Sequence, residues 1–294
     1  MTGTVLILGQ SGRFGRHAAL AFTDAGWSVR CFDRRRDDLM GAAKGADVIV
    51  NAWNPPYPDW AAQVPPLHAA VRNAALAADA TVIVPGNVYV FGARTPAPWG
   101  TDTPHAAANP LGRIRIEMEA AYRADGVRTI LLRAGDFLDT EPSGNWFDRI
   151  MIRKLPQGRF VCPGDPDVPH AWAFLPDLAR AAVALAGKRA DLPRFADVPF
   201  PGYTLSGREM HAALERINGR TLRLDRMNWL PLRLAAPFWP LERYLLELRY
   251  LWSTPHCLEG EQMRGLLPDF DATPPEVALA RATVAAVGAR PRTS

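Results

Sequence analysis

The sequence predicts an α/β protein: a Rossmann-type, doubly wound parallel sheet with a smaller C-terminal lobe. Three observations carry this. A glycine turn, Gly9-x-x-Gly12-x-x-Gly15, lies between a short apolar run and a helical stripe. Short β-branched runs recur at 47–50, 81–84 and 129–132, each flanked by helical spacing. Beyond Gly135 that rhythm stops. Continuous apolar runs separated by amphipathic helices are what a parallel sheet covered on both faces requires.

Thr4–Leu8 is the first predicted strand. After the glycine turn, Phe14, Ala18, Ala19 and Phe22 form one helical stripe, which Gly26 stops. Trp27–Phe32 reads as the second strand and Asp33 closes it. The segment Pro110–Ala124 places Leu111, Ile114, Met118, Ala121 and Tyr122 at helical spacing. Residues 141–169, rich in Pro and Gly, are expected to be loops, and Asp177 opens an Ala-rich helix. Ser206–Glu209 is a capping box for a helix that ends at Asn218-Gly219. Thr273–Glu276 reads as a second capping box, opening the last helix, and the end 288–294 is expected to fray. The stretch Trp229–Trp252 is apolar and aromatic, broken by Pro231, Pro237 and Pro240. It fits a helix-rich lobe, a lid over an apolar substrate, or a surface for a membrane or a partner chain.

Of the 294 residues, 48% are hydrophobic and 22% charged, which fits a globular chain and excludes a disordered one. The net charge is +4, and all 34 basic residues except Lys44, Lys154 and Lys188 are arginine. The one dense basic run, Arg34–Arg36, is followed at once by Asp37 and Asp38, so no nucleic-acid partner is expected. Cys31, Cys162 and Cys257 lack zinc spacing and read as structural; no metal is expected. An odd cysteine count with no signal peptide points to the cytoplasm. No apolar run reaches the roughly 18 residues of a membrane span.

Strand, glycine turn, helix, strand and terminal acid together make a dinucleotide-binding unit. Gly9 permits the turn, Gly12 admits the pyrophosphate, and Gly15 lets the helix pack on the strand. Ser11, Arg13 and Phe14 complete the turn, and helix N–H groups face the phosphates. Asp33, at a strand end, accepts hydrogen bonds from ribose hydroxyls and repels a 2′-phosphate, which favours NAD. Arg34, its two neighbours and Arg13 could instead pair with that phosphate, which favours NADP. The balance falls narrowly to NAD.

The turn spacing resembles that of the extended and atypical short-chain dehydrogenase/reductases, which include the nucleotide-sugar epimerase/dehydratase group. Asp47–Ala52 looks like the family strand whose end lines the cofactor, which implicates Ala52 and Trp53. Val84–Gly92 resembles the segment written S-S-x-x-V-Y-G, and Arg133–Phe137 the R-x-x-N segment. His170–Ala179 resembles R-D-x-I-H-V-x-D-x-A. In order, these cover residues 4 to 182. The order of the βα units and the later loss of that rhythm predict a dinucleotide-binding part at 1–136 and about 166–195, with a substrate lobe at about 137–165 and 196–294.

The family's chemistry rests on Y-x-x-x-K on a helix, and here this chain departs. Leu111 stands in place of Tyr, Arg115 in place of Lys, and Asn87 at the Ser/Thr position. Leucine cannot titrate. Arg115 can bind ribose hydroxyls but does not donate a proton near neutral pH. Asn87 can orient a carbonyl. Tyr89, two residues on, would share its face if the segment were a strand, and is the first candidate proton donor; Asp136 is the second. His170 replaces the arginine that the family sets against substrate diphosphate, which argues against a nucleotide sugar. Tyr57 and His105 lie in loops near the expected cleft, while His17, His68, His211 and His256 read as surface or helix histidines. The resulting expectation is an NAD(P)-binding oxidoreductase or epimerase-like enzyme for a small carbonyl or alcohol substrate. The alternative is an inactive NAD(P)-sensing regulatory protein, and a homodimer is left open.

Overall fold

The computed structural model of the protein describes residues 2–288. The end expected to fray lies outside them, apart from Gly288, which closes the last helix. The chain runs β1 (Thr4–Leu8), α1 (Arg13–Asp24), β2 (Ser28–Phe32), α2 (Leu39–Ala43), β3 (Val48–Asn51), α3 (Trp60–Ala78), β4 (Thr81–Gly86), α4 (Pro110–Ala124) and β5 (Thr129–Arg133). It continues through β6 (Asp136–Leu138), β7 (Arg159–Cys162), β8 (His170–Phe174), α5 (Leu175–Gly187), β9 (Phe195–Pro199) and β10 (Tyr203–Leu205). The remaining elements are α6 (Gly207–Asn218), β11 (Arg223–Arg226), α7 (Leu230–Ala235), α8 (Pro240–Glu247), α9 (Glu261–Leu266) and α10 (Pro275–Gly288).

Six strands form one parallel sheet in the order β2-β1-β3-β4-β5-β9. The chain moves outward from β1 to β2, then crosses back to lay β3 on the other side of β1. That reversal is the switch point where a doubly wound sheet opens a crevice at its carboxyl edge. Alternate side chains of β1 serve the two faces. Val5 and Ile7 pack with Phe14, Ala18 and Phe22 of α1 and with α5. Leu6 and Leu8 join Trp60, Val71 and Leu111 on the α3–α4 side. Ala19, expected in the α1 stripe, is only half-buried. Gly26, at φ +76°, turns the chain after α1 so that Trp27 caps the helix edge-on to Phe22.

Two small sheets lie beyond this. β10-β8-β6 is three-stranded and β11-β7 is a parallel pair. They enclose a separate core that includes Trp172, Phe174, Met210 and Trp229. The expected loop 141–169 therefore contains a strand and, at Phe147–Met151, a π-helical turn. β9 belongs to the main sheet, which carries that sheet to Pro199. The Ser206 capping box is formed, with Glu209 reciprocating. The one expected at Thr273 is not: Asp177 takes both the Thr273 backbone N–H and its hydroxyl, and Glu276 pairs with Arg216.

Candidate functional site

The glycine turn forms a cradle at the switch point. Gly9 has φ +77°, and a Cβ there would lie 2.9 Å from the Ala52 carbonyl oxygen and 3.1 Å from the Trp53 nitrogen. A Cβ on Gly15 would sit 2.1 Å from the Gly9 oxygen, so helix and strand touch backbone to backbone. Gly12 precedes α1 with no side-chain cap, and the first turn of α1 holds no acid. The helix N–H groups and dipole are thus left for an anion. Ser11 and Arg13 are exposed around this cradle, and Phe14 is buried beneath it. Together these features fit the pyrophosphate of a dinucleotide.

At the end of β2, Asp33 is partly drawn into its own turn. Its Oδ1 accepts from the Arg35 backbone at 3.0 Å, and Asp37 accepts from the Asp33 N–H at 2.8 Å. Asp38 caps α2 through Gly41, and Arg34 stays exposed. Trp53 stands edge-on to Phe32 at 5.4 Å beside this strand end. Arg13 does not join the basic run. Its Nε donates to the Ser143 carbonyl at 2.9 Å, so the 139–148 loop holds it. The same loop is pinned to α1 by Asp139, which accepts from Arg16 and, at 2.9 Å, from His17. Burial opposes ionisation of Asp139, but hydrogen bonds from His17, Ser143 and Arg16 outweigh it and lower its pKa.

The hydroxyl site lies across the crevice. Segment 88–90 after β4 is a 3-10 turn and not a strand, so strand alternation does not govern Asn87 and Tyr89. The turn is fixed from two sides: Asn87 Oδ1 accepts from the Tyr89 N–H at 3.0 Å, and the Asn87 carbonyl accepts from Arg133 at 2.7 Å. The Tyr89 hydroxyl lies 2.7 Å from that of Tyr57. Tyr57 was expected in a loop near the cleft but without a role, because Pro55-Pro56-Tyr57-Pro58 has no periodicity. Its one signal was an aromatic hydroxyl in the loop following a strand at the switch point. Burial raises both hydroxyl pKa values; Asp136 adds to this and Arg13 opposes it. Both groups are held as neutral O–H.

Asp136, half-buried, shares a hydrogen bond of 2.8 Å with His170 Nε2. His170 lies flat on Trp252, ring centroids 4.2 Å apart, and meets His256 edge-on at 4.4 Å. His256, expected at the surface, is buried against Trp99, and burial with neighbouring His170 pushes its pKa down to about 3. His68 is buried too, bonded to Asn51 and Tyr122; burial, with Arg115 and Arg72, lowers it to about 3. His17 is likewise buried.

The helix α4, which carries Leu111 and Arg115, is sealed. Leu111 is fully buried in the core, and its N–H donates to Glu247 of α8 at 2.6 Å, as does the Asn109 amide at 2.8 Å. Arg115 is buried and donates to the Pro85 carbonyl at 2.7 Å, with Trp60 beside it at 6.0 Å. Asn87, Tyr89, Asp136, His170 and Arg115 thus gather around the end of β4, while Leu111 faces the core. Behind them Arg133 is fully buried between Glu119 and Asp197, at 2.8 and 2.6 Å. His105 approaches the same carboxylates. That constellation has metal-like spacing, but the guanidinium already supplies its positive charge. Burial disfavours the Arg133 charge, and the two carboxylates more than offset this, raising its pKa.

No protein-family model matches the chain, and no curated protein matches it. Solved structures do. MoeE5 in complex with UDP-glucose and NAD is similar with TM-score 0.73 and 17% identity, over 96% of this chain and 97% of that one. TunA, an NAD-dependent NDP-hexosamine 5,6-dehydratase, gives TM-score 0.74 and 15% identity over 99% of both chains. UDP-glucuronic acid 4-epimerase from Bacillus cereus, in complex with NAD, gives 0.74 and 13%, over 97% and 99%. At these identities the chain shares their fold along nearly its whole length.

Proposed function

We propose that the protein is an NAD(P)-dependent oxidoreductase or epimerase-like enzyme whose proton donor is Tyr89, backed by Tyr57. The observation that carries this is the Tyr57–Tyr89 hydroxyl pair, 2.7 Å apart, beside a glycine cradle that a single Cβ would fill. The NAD bound in MoeE5 and in the Bacillus epimerase, on the same fold, supports the cofactor. Gly9, Gly12 and Gly15 would hold its pyrophosphate, Asp33 the adenosine ribose, and Ala52 and Trp53 the floor of the crevice. The cofactor would exchange hydride with a substrate carbon. Asn87 would orient the substrate oxygen, and Tyr89 would give it a proton, with Tyr57 donating in turn to the Tyr89 oxygen. A hydroxyl kept neutral by burial suits donation to an alkoxide, whose oxygen is the stronger base. Asp136, fixed by His170, would bind a substrate hydroxyl. The substrate would be a small carbonyl or alcohol compound. Thermal-shift titration with the oxidised and reduced forms of NAD and NADP tests the cofactor. A screen of carbonyl and alcohol compounds, read by nicotinamide absorbance, tests the reaction. No shift with any of the four dinucleotides would end the proposal.

A further inference from the structure

The α7–α8 hairpin has an unusual outer surface. Its inner side is accounted for: α8 lies on the turn that carries Tyr57, Tyr244 packs on the main core, and Leu232 and Leu246 pack on the lobe core. The outer side is not. Leu230 is 55% exposed, Leu234 67%, Phe238 77% and Trp239 60%. Large exposed apolar side chains grouped at one place mark an interaction surface. Among residues 228–243 the exposed charges are Arg233 and Arg243, and the one carboxylate, Glu242, is half-buried.

We propose that this hairpin docks the protein onto an anionic lipid surface, with Phe238 and Trp239 entering the headgroup region. Three features select this occupant. Phe238 and Trp239 sit at the connection between two short helices, exposed 77% and 60% and free to enter a soft interface. An aromatic pair flanked by arginines matches the chemistry of the headgroup boundary, where rings bury and cations meet phosphates. A second copy fits less well. A two-fold contact places the same patch against itself, setting Arg233 and Arg243 against their own kind with only the half-buried Glu242 to offset them. No helix among the described residues is long and apolar enough to cross a membrane, so the contact is peripheral.

The test is flotation of the purified protein with phosphatidylcholine vesicles, with and without phosphatidylglycerol, at low and high salt. Binding is expected to the anionic vesicles and to weaken with salt. Each arginine near such a surface contributes roughly five-fold to partitioning, so Arg233→Gln with Arg243→Gln should lower it by roughly 25-fold. Phe238→Ser with Trp239→Ser should lower it at least roughly ten-fold. These side chains are exposed, so both variants should keep the wild-type unfolding temperature and dinucleotide shift. The proposal is overturned if wild type does not float with anionic vesicles, or if either variant floats as well as wild type. It is also overturned if sedimentation shows a dimer that Phe238→Ser with Trp239→Ser dissolves, which would assign the face to a second copy. None of these readouts depends on turnover.

Discussion

Tyr89 is held more firmly than a mobile loop residue would be. Its backbone N–H is tied to Asn87, its hydroxyl to Tyr57, and its turn to Arg133. A donor pre-positioned by its surroundings needs no rearrangement when charge develops on the substrate oxygen. Removing a general acid costs about 10²–10⁴-fold in rate. Tyr89→Phe should therefore lower kcat by that factor on a substrate found in the carbonyl screen. Tyr57→Phe should lower it less, because Tyr89 still offers its own proton; unchanged turnover in Tyr89→Phe would transfer the role to Asp136. Cofactor choice is also decided by single residues. Arg13 is engaged by the 139–148 loop, which leaves Asp33 facing only the exposed basic run. Asp33→Ala should move the preference toward NADP, read as the ratio of thermal shifts with the two cofactors; an unmoved ratio would show that this carboxylate does not discriminate.

The helix α4 is held at its start by a residue far along the chain. Its N-terminal turn is capped by Glu247, which takes the Leu111 N–H and the Asn109 amide. The cap comes from α8, so one carboxylate joins the roof of the site to the helix beneath it. Glu247→Ala removes both bonds and should cost about 1–3 kcal/mol in urea unfolding. It should also speed proteolysis between 228 and 247; an unchanged cleavage rate there would mean that Glu247 does not hold the hairpin down. Local signals made much of this level legible. The short apolar strand runs, the glycine turn, the Ser206–Glu209 box and the α4 stripe each depend on residues a few positions apart. The partner of Glu247, the pairing of β7 with β11 and the capture of Thr273 by Asp177 depend on contacts dozens of residues apart, which no local pattern encodes. The same holds within the site: Asn87 and Tyr89 were found through their segment, whereas Tyr57, expected only near the cleft, gained a partner when the fold brought its loop to Tyr89.

At the scale of the whole molecule, several titratable groups are buried between layers, and they set how the fold responds to acid. His68 lies under the main sheet with Asn51 and Tyr122; His256 lies between Trp99 and His170 where the lobe meets the main sheet. Both pKa values fall to about 3, first through burial and then through neighbouring cations or imidazole. An unfolded histidine binds its proton near pH 6.5, while these two stay neutral in the folded protein until far more acid conditions. Below pH 6.5 the unfolded chain therefore binds more protons than the native one, and stability falls as pH falls. It is fully present above that value. Between pH 6.5 and 5 each imidazole gives up about 2 kcal/mol. Asp139, whose pKa is lowered, works in the same direction at lower pH. Urea unfolding at pH 7 and pH 5 should thus show a marked loss at the lower value. His68→Gln should be less stable than wild type at pH 7, because Tyr122 and Asn51 lose a buried partner, yet it should lose less on acidification. His68→Gln combined with His256→Gln should make the profile clearly shallower over this range, His105, lowered by burial, still contributing. A double variant with the wild-type slope would mean that the acid sensitivity resides in other groups.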